Sequence, residues 1–352
     1  MATTSHDGGT VLDLAAQAEP LHIVYPEPSP PHNRRVAWYR TVGMRGFSVV
    51  ACAAPEGTVG LAAPHEPQGY RTLEGIITIE TADTSVPLAA WLANCDDLIA
   101  RILDIVSLGQ GRYIRYSIRE CYVNETLAQV GFYGAHESTE PYQPCFHHLN
   151  MEPVLALAVN AYTPRLRDDA GLGIAIEWFL MNPRYVEGKY LTAFAALEHL
   201  LTVLGKDLPT TILEPEAYQR AVLPRLASAL ALAREDLPNA SDEDLAFLRR
   251  KLDSLNHRPF ADRLATLFEY LGVPTSDIAD RLPPALRARN PLLHRGRYTG
   301  DEPLQEHLTV LRELVVRTIL TLLNFHGYYE SYLRDPTWGP FPPVTNERPD
   351  AK

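Results

Sequence analysis

The chain has 352 residues, 46% apolar and 21% charged, with 43 acidic against 32 basic side chains and a formal net charge of −11. That length supplies one large domain or two ordinary ones, and the composition excludes wholesale disorder. Acidity on this scale excludes a protein that coats nucleic acid or anionic membrane over its whole surface, but leaves room for a local basic site.

The basic residues are 28 Arg and only 4 Lys, a ratio that high genomic GC content explains without any function. Four cysteines, Cys52, Cys95, Cys121 and Cys145, are widely spaced and form no CxxC pair. They fit reduced, intracellular thiols better than a disulfide framework. No apolar run approaches the roughly 18 residues of a membrane span. The opening MATTSHDGGT lacks the basic-then-apolar pattern of a secretion signal. A cytoplasmic protein with no membrane partner is the expectation.

Residues 1–20 are small and polar and are expected to be loosely ordered. From 21 to 150 the chain reads as a β-rich module. Strands are predicted at 21–25, 36–42, 46–53, 70–80, 112–120 and 127–135, where β-branched and aromatic residues gather between Pro and Gly clusters. One helix interrupts them. Leu88, Leu92, Cys95, Ile99, Ile102 and Val106 make a single apolar stripe. Ser85 is expected to cap it, with Pro87 in its first turn and Gly109 or Gly111 at its end.

After about 150 the period changes to that of helices. Short helical pieces are predicted at 151–162 and 172–181. A strong stripe of Tyr190, Phe194, Leu197, Leu201 and Leu204 then stops at Gly205. A helix over 216–235 is expected to kink at Pro224. Ser241 and Asp244 form a capping-box start for a helix carrying Leu245, Leu248, Leu252 and Leu255. Another carries Phe260, Leu264, Leu267 and Leu271. Last comes a long helix that turns Leu304, Leu308, Leu311, Val315, Ile319, Leu322 and Phe325 inward. The predicted class is therefore α+β and multidomain: a β-rich module with one packed helix, an all-α bundle over 151–335, and a Pro-rich extended tail over 336–352.

The chemistry concentrates between the last two long helices, in Arg287-Ala-Arg289-Asn290-Pro291-Leu-Leu-His294-Arg295-Gly296-Arg297. Residues 281–297 hold five Arg and one His, with no acid. In a chain of net charge −11 this local reversal attracts phosphate. Asn290 is a favoured N-cap and Pro291 suits a first helical position, so a helix is expected to begin there, its free N–H groups favouring an anion. An arginine fork matches two phosphate oxygens, and histidine is the side chain that changes protonation near neutrality. Together they can stabilise a pentavalent phosphate and protonate a leaving oxygen without a metal. The plainer alternative is that these residues cap a helix and pair with acids.

The context carries the argument further. Phe194-Ala-Ala-Leu-Glu198 on a stripe helix is followed by Lys251-Leu-Asp-Ser-Leu-Asn256 and Phe260-Ala-Asp-Arg-Leu264. Then come Arg289-Asn-Pro-Leu-Leu-His294-Arg-Gly296 and a long terminal helix. This order resembles the HEPN superfamily (higher eukaryotes and prokaryotes nucleotide-binding domain), most closely its ApeA-like branch, over about 172–333. For 20–150 the likeness is one of architecture alone.

The resemblance implies a metal-independent endoribonuclease of the antiviral-defence or toxin type. Arg289, Asn290 and His294 match its Arg-x4-6-His motif and the polar residue that follows the Arg. It also implies a homodimer in which two motifs face one cleft. The RNA 2′-hydroxyl, with tRNA a candidate substrate, would attack there to leave a cyclic phosphate. Arg287, Arg295 and Arg297 are the candidate substrate-binding residues. Glu198, at the edge of its helix's core face, is expected to support Arg289 or a neighbouring Arg by a salt bridge.

No metal or other cofactor is expected. Cys145-Phe-His147-His148 matches no common zinc spacing, and no glycine-rich phosphate loop occurs. His199, His307 and His326 are read as ordinary helix histidines without partners. Tyr113, Tyr116, Tyr122, Phe132 and Tyr133 are read as cross-strand packing rather than base-stacking residues. Two other functions stay open: a non-catalytic HEPN module that binds nucleotide, RNA or protein, and an antitoxin-like partner whose acidic surface meets a basic companion.

Overall fold

The computed structural model describes residues 3–4, 10–11, 34–42, 44, 47–63, 75–133, 144–146, 151–237, 239–333 and 338–342. The strand expected at 21–25 lies outside these residues. The short β1 (Thr3–Thr4) and β2 (Thr10–Val11) pair antiparallel.

A six-stranded antiparallel sheet follows. Its strands are β3 (Arg35–Val42), β4 (Phe47–Ala54), β5 (Gly57–Ala63), β6 (Gly75–Thr81), β7 (Arg115–Val123) and β8 (Thr126–Phe132), in the order β4-β5-β6-β3-β7-β8. The sheet centres on β3, where Tyr39 sits opposite Ile77 on one side and Arg119 on the other. Its side chains alternate: Ala37, Tyr39 and Thr41 are buried and their neighbours are not, as a one-faced sheet requires.

β5 was not among the predicted strands. Its Gly- and Ala-rich text hides a two-residue alternation of Val59 and Leu61, both buried. Gly57 makes the turn into it. Its φ is +137°, and a Cβ there would lie 1.9 Å from the Glu80 carbonyl oxygen, so only glycine fits.

α1 (Leu88–Gln110) lies against the sheet with Trp91, Leu92, Cys95, Leu98, Ile99, Ile102 and Val106 buried. It ends where Gly111 turns left-handed at φ 64°, with Gly111 N–H donating to Leu108 and Arg112 N–H to Ser107, a Schellman arrangement. Ser85 does not cap its start. Pro87 holds that position without a side-chain bond, and the Trp91 N–H donates to the Pro87 carbonyl instead.

The helical region comprises α2 (Met151–Asn160), α3 (Leu172–Leu180), α4 (Val186–Leu204) and α5 (Pro215–Ala217). A π turn over Tyr218–Val222 then leads to α6 (Leu223–Leu232). The irregular turn comes directly before Pro224, which has no N–H to continue a regular ladder. Next are α7 (Asp242–Ser254), α8 (Phe260–Leu271), α9 (Leu282–Arg287), α10 (Arg289–Arg295) and α11 (Leu304–Leu322). Within the stretch expected as an extended tail, Trp338–Phe341 is a strand, β10, paired with β9 (Gly327–Glu330). The fold is thus mixed α+β. Its apolar packing is continuous from the sheet and α1 through α2 to α3, α4 and α11. Among the described residues, no helix is long and apolar enough to cross a membrane.

The Ser241–Asp244 capping box forms as expected. The leucine stripe behind it does not reach a core: no residue of α7 is buried, and Leu248 and Leu255 are exposed. α7 packs on α6, which also has no buried residue. An apolar stripe therefore specified a helix here without specifying burial.

α11 carries an ionic cluster inside the core. Arg317, fully buried, donates to Glu313 at 2.8 Å, to both Asp277 oxygens at 2.6 and 2.8 Å, and to the Pro274 carbonyl at 2.8 Å. Glu313 also accepts from the Tyr329 and Ser331 hydroxyls and the Tyr332 N–H. Every bond is charge-assisted, and together they tie the last helix to the loop before α9 and to the β9 hairpin.

Candidate functional site

The Arg-rich segment folds as two short consecutive helices, α9 and α10, joined at Ala288. Ala285, Leu286, Ala288 and Leu292 are buried and anchor it, while Arg287, Asn290, His294, Arg295 and Arg297 are exposed. Asn290 is not an N-cap, and no helix begins at Pro291. Ala288 is itself helical (φ −59°, ψ −19°) and its N–H donates to the Pro284 carbonyl. The chain thus passes from α9 into α10 with no extended residue between them, so the expected anion-binding helix start is absent. Gly296 ends α10 in the left-handed region, its N–H donating to Leu292.

Arg289 is held where its segment meets α4. Its guanidinium lies 4.8 Å from the centroid of the Phe194 ring and donates to Glu198 Oε1 at 3.4 Å. The Glu198 salt bridge expected from sequence is present, though longer than a close charge-assisted hydrogen bond. Beneath the guanidinium, Phe194 stacks between Tyr190 and Phe260, at 6.2 and 4.9 Å. The buried Tyr190 hydroxyl donates to the Ala285 carbonyl at 2.6 Å. Burial pushes that hydroxyl well above its ordinary range, against the opposing pull of Arg289. This aromatic stack fixes α9 and α10 against α4. Only its spacing on α4 was visible beforehand, as a core stripe.

Arg289 and His294 do not share a face. Five residues of helix turn the chain about 140° past a whole turn, so the two side chains leave α10 in different directions. Asn290 and His294, four apart, do share one. A single copy thus offers one anchored guanidinium and one exposed imidazole that do not converge on a common point.

A cleft of about 500 Å³ lies elsewhere, between α1, the start of β7 and α3. It shares no residue with the Arg-rich segment. Asp96, Asp104, Tyr113, Tyr116 and Arg167 line it, and both of these carboxylates are already paired. Asp96 accepts from the Tyr39 hydroxyl and from Arg119, and Asp104 from Tyr162 and Arg167. Burial raises the Asp104 carboxyl above the usual carboxylate range while Arg167 pulls it down. Tyr116 packs edge-on against Tyr39 and Tyr133, and Tyr122 against Trp38.

The histidines set aside on sequence do have partners. His199 Nε2 lies 3.1 Å from the Gly171 carbonyl and His307 Nε2 lies 2.8 Å from the Tyr298 hydroxyl. His326 lies beyond the end of α11, 3.3 Å from Asn324 Oδ1. Cys145 is buried with its sulfur 3.8 Å from the Tyr332 hydroxyl, and burial pushes its thiol up to about 12. His147 and His148 lie outside the described residues. Among the described residues, no cluster of three His, Cys, Asp or Glu side chains could hold a metal ion. No family model, curated protein or solved structure matches this chain.

Proposed function

We propose that the chain is a metal-independent endoribonuclease of the HEPN type, working as a homodimer. The observation that carries this reading is the contrast within Arg289-Asn-x-x-x-His294. The arginine is braced on Phe194 and Glu198 while the histidine stands in solvent five residues on. A guanidinium already oriented by its own protein suits the non-bridging oxygens of a phosphodiester. An exposed imidazole suits proton transfer.

The divergence of the two side chains on one helix favours a site shared between two copies. Arg289 of one copy would stabilise the pentavalent phosphorane. One His294 would take the proton of the RNA 2′-hydroxyl as its oxygen attacks phosphorus. The other would give a proton to the departing 5′-oxygen. The products are a 2′,3′-cyclic phosphate and a 5′-hydroxyl. Arg287, Asn290, Arg295 and Arg297, all exposed on the same segment, would hold the flanking RNA backbone. Because the rest of the chain carries a net negative charge, contact would be favoured at this stretch.

The experiment is cleavage of total tRNA and mRNA by purified protein in EDTA, beside Arg289→Ala and His294→Ala. The parent cuts and each variant alone does not. Mixed together, the two variants stay inactive, because a mixed dimer holds one Arg289 but only one of the two His294 side chains that the reaction uses. Equal background from all samples overturns the proposal. If RNA instead binds in a salt-dependent manner and is never cut, the module is a non-catalytic RNA binder.

A further inference from the structure

α7 presents an outward face for which the fold supplies no use. Its first turn is Asp242-Glu243-Asp244, its middle holds Phe247, and Arg249-Arg250-Lys251 follow one turn later. At 3.6 residues per turn, Glu243 and Asp244, then Phe247, then Arg250 and Lys251 fall along one side of the helix. The side chains obey this spacing: Arg250 and Lys251 lie 5.9 and 5.3 Å from the Phe247 ring centroid. All five residues are exposed, and the phenylalanine is half in solvent at 51%. α7 packs on α6, and its half-buried leucines, Leu245 and Leu252, lie on another side.

The helix dipole accounts for acids at the start and bases toward the end. The capping box accounts for Asp244. Neither accounts for an exposed aromatic ring placed between the two charge blocks. Turning the helix end over end about Phe247 does. That operation sets ring on ring, Glu243 opposite Lys251 and Asp244 opposite Arg250, twice over by symmetry. A parallel partner would instead set acid on acid. We infer that α7 pairs antiparallel with α7 of a second copy of this chain, through the face Glu243–Asp244–Phe247–Arg250–Lys251.

This is a two-fold, self-complementary contact. One face of a helix about 20 Å long buries less than a standard interface, so the association is weak, and its ion pairs make it salt-sensitive. It is independent of the ribonuclease reading, since α10 takes no part in it. If α10 also joins two copies, the chain carries two different two-fold contacts and can assemble beyond a dimer.

The test is sedimentation velocity of the full chain from about 1 to 300 μM, a range that brackets weak complexes, at low and high salt. The parent gains mass with concentration, less so at high salt, and Phe247→Ala loses that gain. Glu243→Lys and Lys251→Glu each create two like-charge contacts and weaken association about tenfold. Neither touches the Ser241–Asp244 cap. The double swap Glu243→Lys with Lys251→Glu regains association, and an equimolar mixture of the two single variants also associates. Circular dichroism of each variant at low concentration matches the parent. Self-association indifferent to these swaps, no self-association at all, or a double swap no better than the singles overturns the proposal. Cleavage by Arg289→Ala is a separate readout, so failure of one proposal leaves the other standing.

Discussion

Two arginines, Arg317 and Arg289, are served by their surroundings in opposite ways. Arg317 is wholly inside, with carboxylates, a carbonyl and an apolar helix closing every side. Its charge is spent on structure, and nothing outside the protein can reach it. Arg289 rests on an aromatic face and reaches one carboxylate at 3.4 Å, with a third of its side chain in solvent. It is oriented but not saturated, as the proposed phosphate contact requires. An arginine's neighbours, rather than its presence in an Arg-rich stretch, separate the two roles.

The sharpest way to break this contrast is to remove the acid that Arg317 depends on. Glu313→Ala takes from the buried guanidinium one of its carboxylates and from three donors of the β9 region their Glu313 acceptor. A loss of about 3–5 kcal/mol in urea unfolding is expected. A loss below about 1 kcal/mol would show that Asp277 and Pro274 suffice, and the cluster would no longer count as structural.

His294→Ala should do the reverse, leaving unfolding within about 0.5 kcal/mol while cleavage of RNA drops by about 10²–10⁴-fold. If stability falls with activity, the segment is a structural brace. Arg289→Ala is intermediate in kind: cleavage is lost, and the missing contact with Phe194 costs about 0.5–1 kcal/mol. Glu198→Gln tests the bracing itself. Stability should move by less than about 1 kcal/mol, as for other half-exposed pairs, with cleavage lowered less than by Arg289→Ala.

The smallest effect concerns pH. Burial holds the His307 imidazole below its ordinary value, against the opposing pull of Glu302. The unfolded chain therefore binds the proton more readily than the fold. The stability this contributes is present above the ordinary histidine range and declines as pH falls through it. His307→Gln should flatten the dependence of unfolding free energy on pH just below about 6.5. An unchanged slope would assign that dependence to other groups.

Much of the architecture was legible because periodicity is local. The α1 stripe, the α11 stripe and the Ser241–Asp244 cap depend on spacings within a few turns, and the fold keeps all three. Legibility failed where the partner was distant or the signal faint. β5 is built of small residues, Ser85 lost its place to Pro87, and the α7 leucines made a helix with no core behind it. Glu313 and Arg317 sit one helical turn apart among apolar residues, a spacing that could have marked a buried pair. What they needed as well was Asp277, about 40 residues away.

The sequence by itself determined a mixed fold, a change of period near residue 150, and one basic segment in a chain of net charge −11. These follow from composition and short-range order, which no packing can alter. Only the tertiary structure decided that α10 continues from α9 rather than opening at Asn290, and that Arg289 is seated on Phe194 beside Glu198. A helix start is set by the backbone of the residues before it. The reach of a guanidinium is set by a helix some 90 residues away, and neither is encoded at the motif itself.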